Sequence, residues 1–132
     1  MQRESLTSEL HQVLQDLELD ASLASKEITS RITSAVCRWA RSNGWSPEVE
    51  YAVPGYRRRG DRPLRGMIDV RLTKPWHRSV AIEIDRRNNR KSLDKLSHCV
   101  RLGDRAVWIR WMRPDGFCIA VPPEIQVVPL HL

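Results

Sequence analysis

"RGMIDVRLTKPWHRSVAIEID" runs from Arg65 to Asp85, and its reading decides the fold. Its two ends, RGMIDVRL and SVAIEID, are dense in aliphatic residues and read as strands. TKPWHR between them suits the longer loop of an antiparallel hairpin. The acids are the anomaly. Asp69 sits between Ile68 and Val70, and Glu83 and Asp85 stand two apart on one face of a strand otherwise made of Val80, Ala81, Ile82 and Ile84. Carboxylates so spaced repel each other and are costly to bury. If the strands pair, Asp69 lies opposite or diagonal to Glu83, with side chains a few ångströms apart. A divalent cation would relieve such a patch, and Mg²⁺ takes one or two protein carboxylates together with waters and phosphate oxygens. The plainer alternative is a solvated acidic face neutralised by Arg65, Arg71 or Arg78.

Outward from this hairpin the periods change. Upstream, PEVEYAVP (47–54) alternates, with Val49, Tyr51 and Val53 on one face, and predicts a strand. GYRRRGDRP (55–63) is a loop by its Gly, Pro and Asp content. Further upstream, Leu6, Leu10, Val13, Leu14 and Leu17 make one helical stripe, and Ile28, Ile32, Ala35, Val36, Trp39 and Ala40 make a second. Asp20 or Ser22 is expected to cap the second helix, and Asn43-Gly44 to end it. Downstream, Asn89 to Leu102 returns to helical spacing with Leu93, Leu96 and Val100 inward. RAVWIRW (105–111) is a further strand, and GFCIAV and IQVVPL are two short β candidates. Trp39 and Trp108 fall on predicted core faces. The order is α, α, β, β, β, α, β and a β tail, which predicts an α/β fold with a mixed sheet whose last core strand enters parallel to a central one.

The 132 residues suit one domain. Residues 1–19 read as an N-terminal helical extension, 20–112 as the core and 113–132 as the tail. No apolar run approaches a membrane span, and the polar start shows no secretory signal. Cys37, Cys99 and Cys118 are too scattered for zinc or a disulfide framework, which points to a reducing, cytoplasmic setting. Charge is uneven. Residues 57–91 hold twelve of the 22 Lys and Arg against four acids, a net +8, while the rest of the chain carries ten against twelve, or −2. That is the footprint of a protein that meets phosphate. Arg57, Arg58, Arg59, Arg62 and Arg65 share one loop, and Arg86, Arg87, Asn89, Arg90 and Lys91 follow the acidic strand. These are the candidate phosphate and base contacts, and the expected partner is nucleic acid, DNA first. The stripe of the first helix needs cover, either from its own domain or from a second subunit in a homodimer.

RGMIDV followed by VAIEID resembles the PD-(D/E)XK nuclease superfamily, the restriction-endonuclease-like fold, and the order helix, three-strand meander, helix, strand is similar too. The likeness spans roughly residues 22–112. It implies an αβββαβ core, a metal-dependent endonuclease that hydrolyses phosphodiester bonds, and a Mg²⁺ cofactor with Mn²⁺ as a substitute. By that resemblance Asp69 and Glu83 bind the metal, with the Ile84 carbonyl as a further ligand and Glu27 as the acid such families add from the first core helix. The usual Glu-x-Lys is here Glu83-Ile84-Asp85. An acid in that slot is similar to the branch of very-short-patch repair endonucleases, although their following Gly and His are absent. Asp85 then serves as third ligand or general base, or Lys91 reaches back as a relocated lysine, or catalysis is lost and only binding remains.

Overall fold

The computed structural model describes residues 2–20, 22–56, 66–111 and 120–131, with the side chains of residues 2–5 left aside. Chain order is α1 (Gln2–Gln15), α2 (Ser25–Ser42), β1 (Ser46–Ala52), β2 (Met67–Thr73), β3 (Val80–Asp85), α3 (Arg90–Arg101), β4 (Arg105–Arg110) and β5 (Ile125–Pro129). The strands form one sheet in the order β1-β2-β3-β4-β5. β1, β2 and β3 are antiparallel neighbours, whereas β4 runs parallel to β3 and β5 parallel to β4. The mixed α/β architecture expected from the sequence is therefore present. IQVVPL supplies β5, while most of GFCIAV lies outside the described residues.

Helices cover both faces, so the central strands are buried on both sides. On one face α1 and α2 pack Leu6, Leu10, Leu14, Ile28, Ile32 and Val36 against Val70, Leu72, Ile82, Ile84, Val107 and Ile109. On the other, α3 packs Leu93, Leu96 and Cys99 against Ile68, Ala81, Ala106 and Trp108. Trp39, Trp45, Trp108 and Trp111 are all buried. The α1 stripe thus finds its cover within the chain, and Thr7 Oγ1 donates to Gln126 Oε1 of β5 at 2.8 Å. Of the two covers expected for this stripe, its own domain supplies one at Leu6, Leu10 and Leu14.

Two local expectations are corrected. The cap of α2 is neither Asp20 nor Ser22: the helix starts after Ala24, which offers no side-chain bond. Asp20 instead accepts from the Ser22 N–H at 2.9 Å and closes a turn before the helix. The alternation of β1 also fails at Glu50, which has φ 55°. Val49 is exposed while Val53 is buried in the α3-side cluster, so the three residues do not share a face. No helix among the described residues is long and apolar enough to cross a membrane.

Candidate active site

β2 and β3 stay paired for only part of their length. Their register runs through Leu72↔Val80, Arg71↔Ala81 and Val70↔Ile82 and goes no further. At the next position side chains replace the ladder. Asp69 Oδ2 accepts from the Ile84 N–H at 2.7 Å, and the Asp69 N–H donates to Glu83 Oε1 at 3.0 Å. Two backbone donors that would otherwise be orphaned where the strands part are satisfied by carboxylates. Opposite Asp69, Glu50 on β1 drops out of the β1–β2 register between Val49↔Val70 and Tyr51↔Ile68. A non-glycine residue with positive φ marks local strain. The sheet is therefore distorted on both sides of Asp69.

Glu83 is 3% exposed. Alternation places it, with Ala81 and Asp85, on the α3 side of β3. There Lys95, from the second turn of α3, approaches Glu83 Oε2 with its ammonium at 3.2 Å, and the same Nζ donates to the Met67 carbonyl at 2.8 Å. Ser92, one turn earlier on α3, is buried and hydrogen-bonds Glu83. Burial pushes the Glu83 carboxyl up to about 7, and the negative charge of Asp69 adds to this, while Lys95 and Ser92 pull it back. Asp69 is raised as well, first by burial. The Ile84 N–H opposes that rise, and the charges of Asp85 and Glu50 reinforce it. Four acids, Glu83, Asp69, Asp85 and Glu50, are thus coupled around a single lysine, and burial rather than repulsion is the largest cause.

Asp85 is committed elsewhere. Its Oδ2 accepts from the Trp108 indole N–H at 2.7 Å and its Oδ1 from the Asn89 amide at 3.2 Å. Asn89 in turn caps α3, its Oδ1 accepting from the Lys91 N–H at 3.0 Å. Asp85 therefore ties the end of β3 to β4 and to the start of α3, and both its oxygens are engaged. Lys91 is exposed. The cation that meets the carboxylates is Lys95, one helical turn further on, because positions 92, 95, 96 and 99 share the inward face. Glu27 is not brought to the site: it is exposed, pairs with Arg31 at 3.4 Å, and lines a cleft with Leu17, Leu19, Ser34 and Arg38 on the outer side of α2.

The expected phosphate contacts divide. Arg57, Arg58, Arg59, Arg62 and Arg65 lie outside the described residues. Arg86 turns toward α2, donating to Ser25 Oγ at 3.3 Å and lying over the Trp111 ring at 6.0 Å. Arg87 and Arg90 are exposed. Arg71, a candidate counter-charge for the acids, instead grips Asp104 through two bonds of 3.2 Å.

Lys95, Ser92 and Glu50 are the residues that sequence reasoning missed. The spacing Ser92-x-x-Lys95 on the inward face of α3 was the available signal for two of them. Nothing in PEVEYAVP marks Glu50.

The donor set suits a hard divalent cation, which accepts one or two carboxylates with waters completing its shell. Among the described residues Asp69 Oδ2 and Glu83 Oε1 each accept one backbone N–H, which leaves a further lone pair on each for a ligand. In a strand the N–H and C=O of a residue point the same way, so the Ile84 carbonyl faces the same gap as its N–H. Among the described residues no group of three or more His, Cys, Asp and Glu is close enough to enclose an ion by itself. No protein-family model matches this chain, and neither a curated protein nor a solved structure matches it.

Proposed function

We propose that the chain is a divalent-metal-dependent nuclease with a restriction-endonuclease-like core, acting on nucleic acid, DNA first. The observation that carries this reading is the parting of β2 and β3 at Asp69 and Glu83, where a half-buried carboxylate, a buried one and Lys95 converge. Mutually repelling acids held in a partly buried gap are costly and cluster at functional sites. The order of elements from α2 to β4 and the basic segment 57–91 support the same reading.

Asp69 and Glu83, with the Ile84 carbonyl, would hold Mg²⁺ or Mn²⁺, which supplies positive charge beside the scissile phosphate and makes a bound water more acidic. The chain's own residues do the rest. Lys95 takes the part that the third position of Glu-x-Lys plays in the resembled family, donating hydrogen bonds to the attacking water or to the charge that grows on the phosphate. Asp85 and Asn89 hold α3 against β3, which fixes where Lys95 stands. The arginines of 57–65, joined through Gly66 to the strand that bears Asp69, grip the backbone without reading its sequence.

A second reading keeps the fold and drops the chemistry. Glu83 already has a lysine partner and Asp69 a backbone partner, so the acids can serve as a structural clasp in a module that only binds nucleic acid or an acidic protein. One assay separates the two. Wild type and Asp69→Ala are incubated with plasmid and with single-stranded DNA in Mg²⁺, Mn²⁺ or EDTA. Metal-dependent cutting that disappears in the variant supports the nuclease; binding without cutting under every condition supports the clasp.

A further inference from the structure

The turn that joins β2 to β3 carries the most exposed large apolar side chain among the described residues. Trp76 is 102% exposed and has φ 67°. Two unfavourable features meet at this residue: an indole wholly in water, and a bulky residue in the left-handed region that favours glycine. The turn around it is tied down. Lys74 donates to the Asn43 carbonyl at 3.0 Å and lies over the Trp45 ring at 5.4 Å. His77 packs edge-on against Trp45, the ring centres 5.7 Å apart, and meets the Pro75 carbonyl at 2.9 Å. Arg78 donates to the carbonyls of Gly103 and Asp104 at 3.1 and 3.3 Å. The turn is thus held between the C-terminal ends of α2 and α3, and Trp76 is held out from it.

From this geometry we infer that Trp76 is a stacking platform for an unpaired base of nucleic acid, on a surface separate from the carboxylates. Among the described residues Lys74 and Arg78 bond to carbonyls and pair with no acid, and Arg41 and Arg101 lie in the last turns of the two flanking helices. The acids nearby are Asp104, already paired with Arg71, and Glu48 further up β1. An exposed aromatic ring with cations on the same turn is what sequence-tolerant single-strand binders use: the ring stacks on a base and the cations follow the phosphates. A membrane anchor needs a broader apolar face than one indole. The platform lies at the closed end of the hairpin. The four residues from Asp69 to Thr73, where β2 ends, span about 13 Å at roughly 3.3 Å per residue, and the platform lies beyond that end. The inference rests on nucleic acid being the partner, and is independent of cleavage.

The test uses the full chain in EDTA, so that cutting plays no part. Binding of wild type, Trp76→Ala and Trp76→Phe is measured with a 20-mer single-stranded DNA, the same length of RNA, and an abasic 20-mer that keeps the phosphates. The expected result is that Trp76→Ala weakens binding to the base-bearing strands about tenfold, leaves the abasic strand unaffected, and is largely rescued by Trp76→Phe. The DNA and RNA arms show which strand is preferred. Equal binding of wild type and Trp76→Ala overturns the inference, as does an equal loss on the abasic strand. A defect seen instead on vesicles of anionic lipid assigns the residue to a membrane and also overturns it. Failure of the nuclease reading looks different: Trp76-dependent binding persists, and no metal restores cutting.

Discussion

The two faces of the sheet follow different rules. Toward α1 and α2, the strands present Val70, Leu72, Val80, Ile82, Ile84, Val107 and Ile109, and the layer is apolar throughout. Toward α3, the same strands present Arg71, Glu83 and Asp85 among Ala81, Ala106 and Trp108, with Lys95 and Ser92 facing them from the helix. Both faces are covered by helices, so the polar groups of the second are not there for want of a lid. The first face holds the fold by burial alone. The second must satisfy every charge it encloses, and each does so through a specific bond. A layer that tolerates near-neutral swaps in one direction and none in the other is the expected result.

The sharpest way to break this comparison is at the parting of the strands. If the nuclease reading holds, Asp69→Ala or Glu83→Ala lowers metal-dependent cleavage at least about a hundredfold, as loss of a group that acts in the transition state does. Binding to nucleic acid in EDTA is unchanged or tighter, because a repulsive charge is gone. Cleavage at the wild-type rate in either variant would remove both residues from the site.

Lys95→Ala comes next. It strips the partner from a buried carboxylate, and breaking such a pair costs about 3 kcal/mol. The loss is expected in urea unfolding at pH 8 and shrinks at pH 5, where Glu83 can take up a proton. A loss equal at both pH values would mean that Lys95 acts only through its packing. On the other face, Leu10→Ala or Ile32→Ala costs about 2–5 kcal/mol by opening a cavity, at every pH alike, and leaves the cleavage rate of folded protein untouched. The contrast between these two responses to pH is the comparison in measurable form.

Stability of the metal-free wild type should also move with pH. Glu83 is raised from its ordinary 4.5 to about 7, so the folded chain binds more protons than the unfolded chain between those values. The stabilisation is complete below pH 4.5 and is lost as pH rises through about 7, some 3 kcal/mol in total. Glu83→Gln should flatten that slope, and an unchanged slope in thermal melts would show that another group titrates. The smallest effects belong to residues left outside the site. Glu27→Ala and Lys91→Ala should each stay within about 0.5 kcal/mol of wild type and cleave at its rate.

The architecture was legible because it rests on periods. Helical stripes at Leu6 to Leu14 and Ile28 to Ala40, and short aliphatic runs around Asp69 and Glu83, each bury a face that needs no particular partner. The meeting of Asp69 with Glu83 followed from the hairpin alone, since two strands joined by a short turn have few registers. Lys95 was harder. A lysine near an inward stripe reads as a rim residue that reaches water, and only the packing of α3 on β3 shows its ammonium at a carboxylate. The bonds of Asp85 were hidden for a similar reason: its partners, Trp108 and Asn89, lie on two other elements. The strained φ of Glu50 and of Trp76 has no signature in composition or period.

The sequence by itself determined the elements, their order, the pairing that sets two acids side by side and the uneven charge, because these depend on neighbours along the chain. Only the tertiary structure decided which cation meets those acids, which acid is spent on holding the helix, which helix face finds its cover at home, and that Trp76 faces water rather than the sheet. Those outcomes depend on how α3 docks across β3 and β4, and the residues that dock are far apart in sequence.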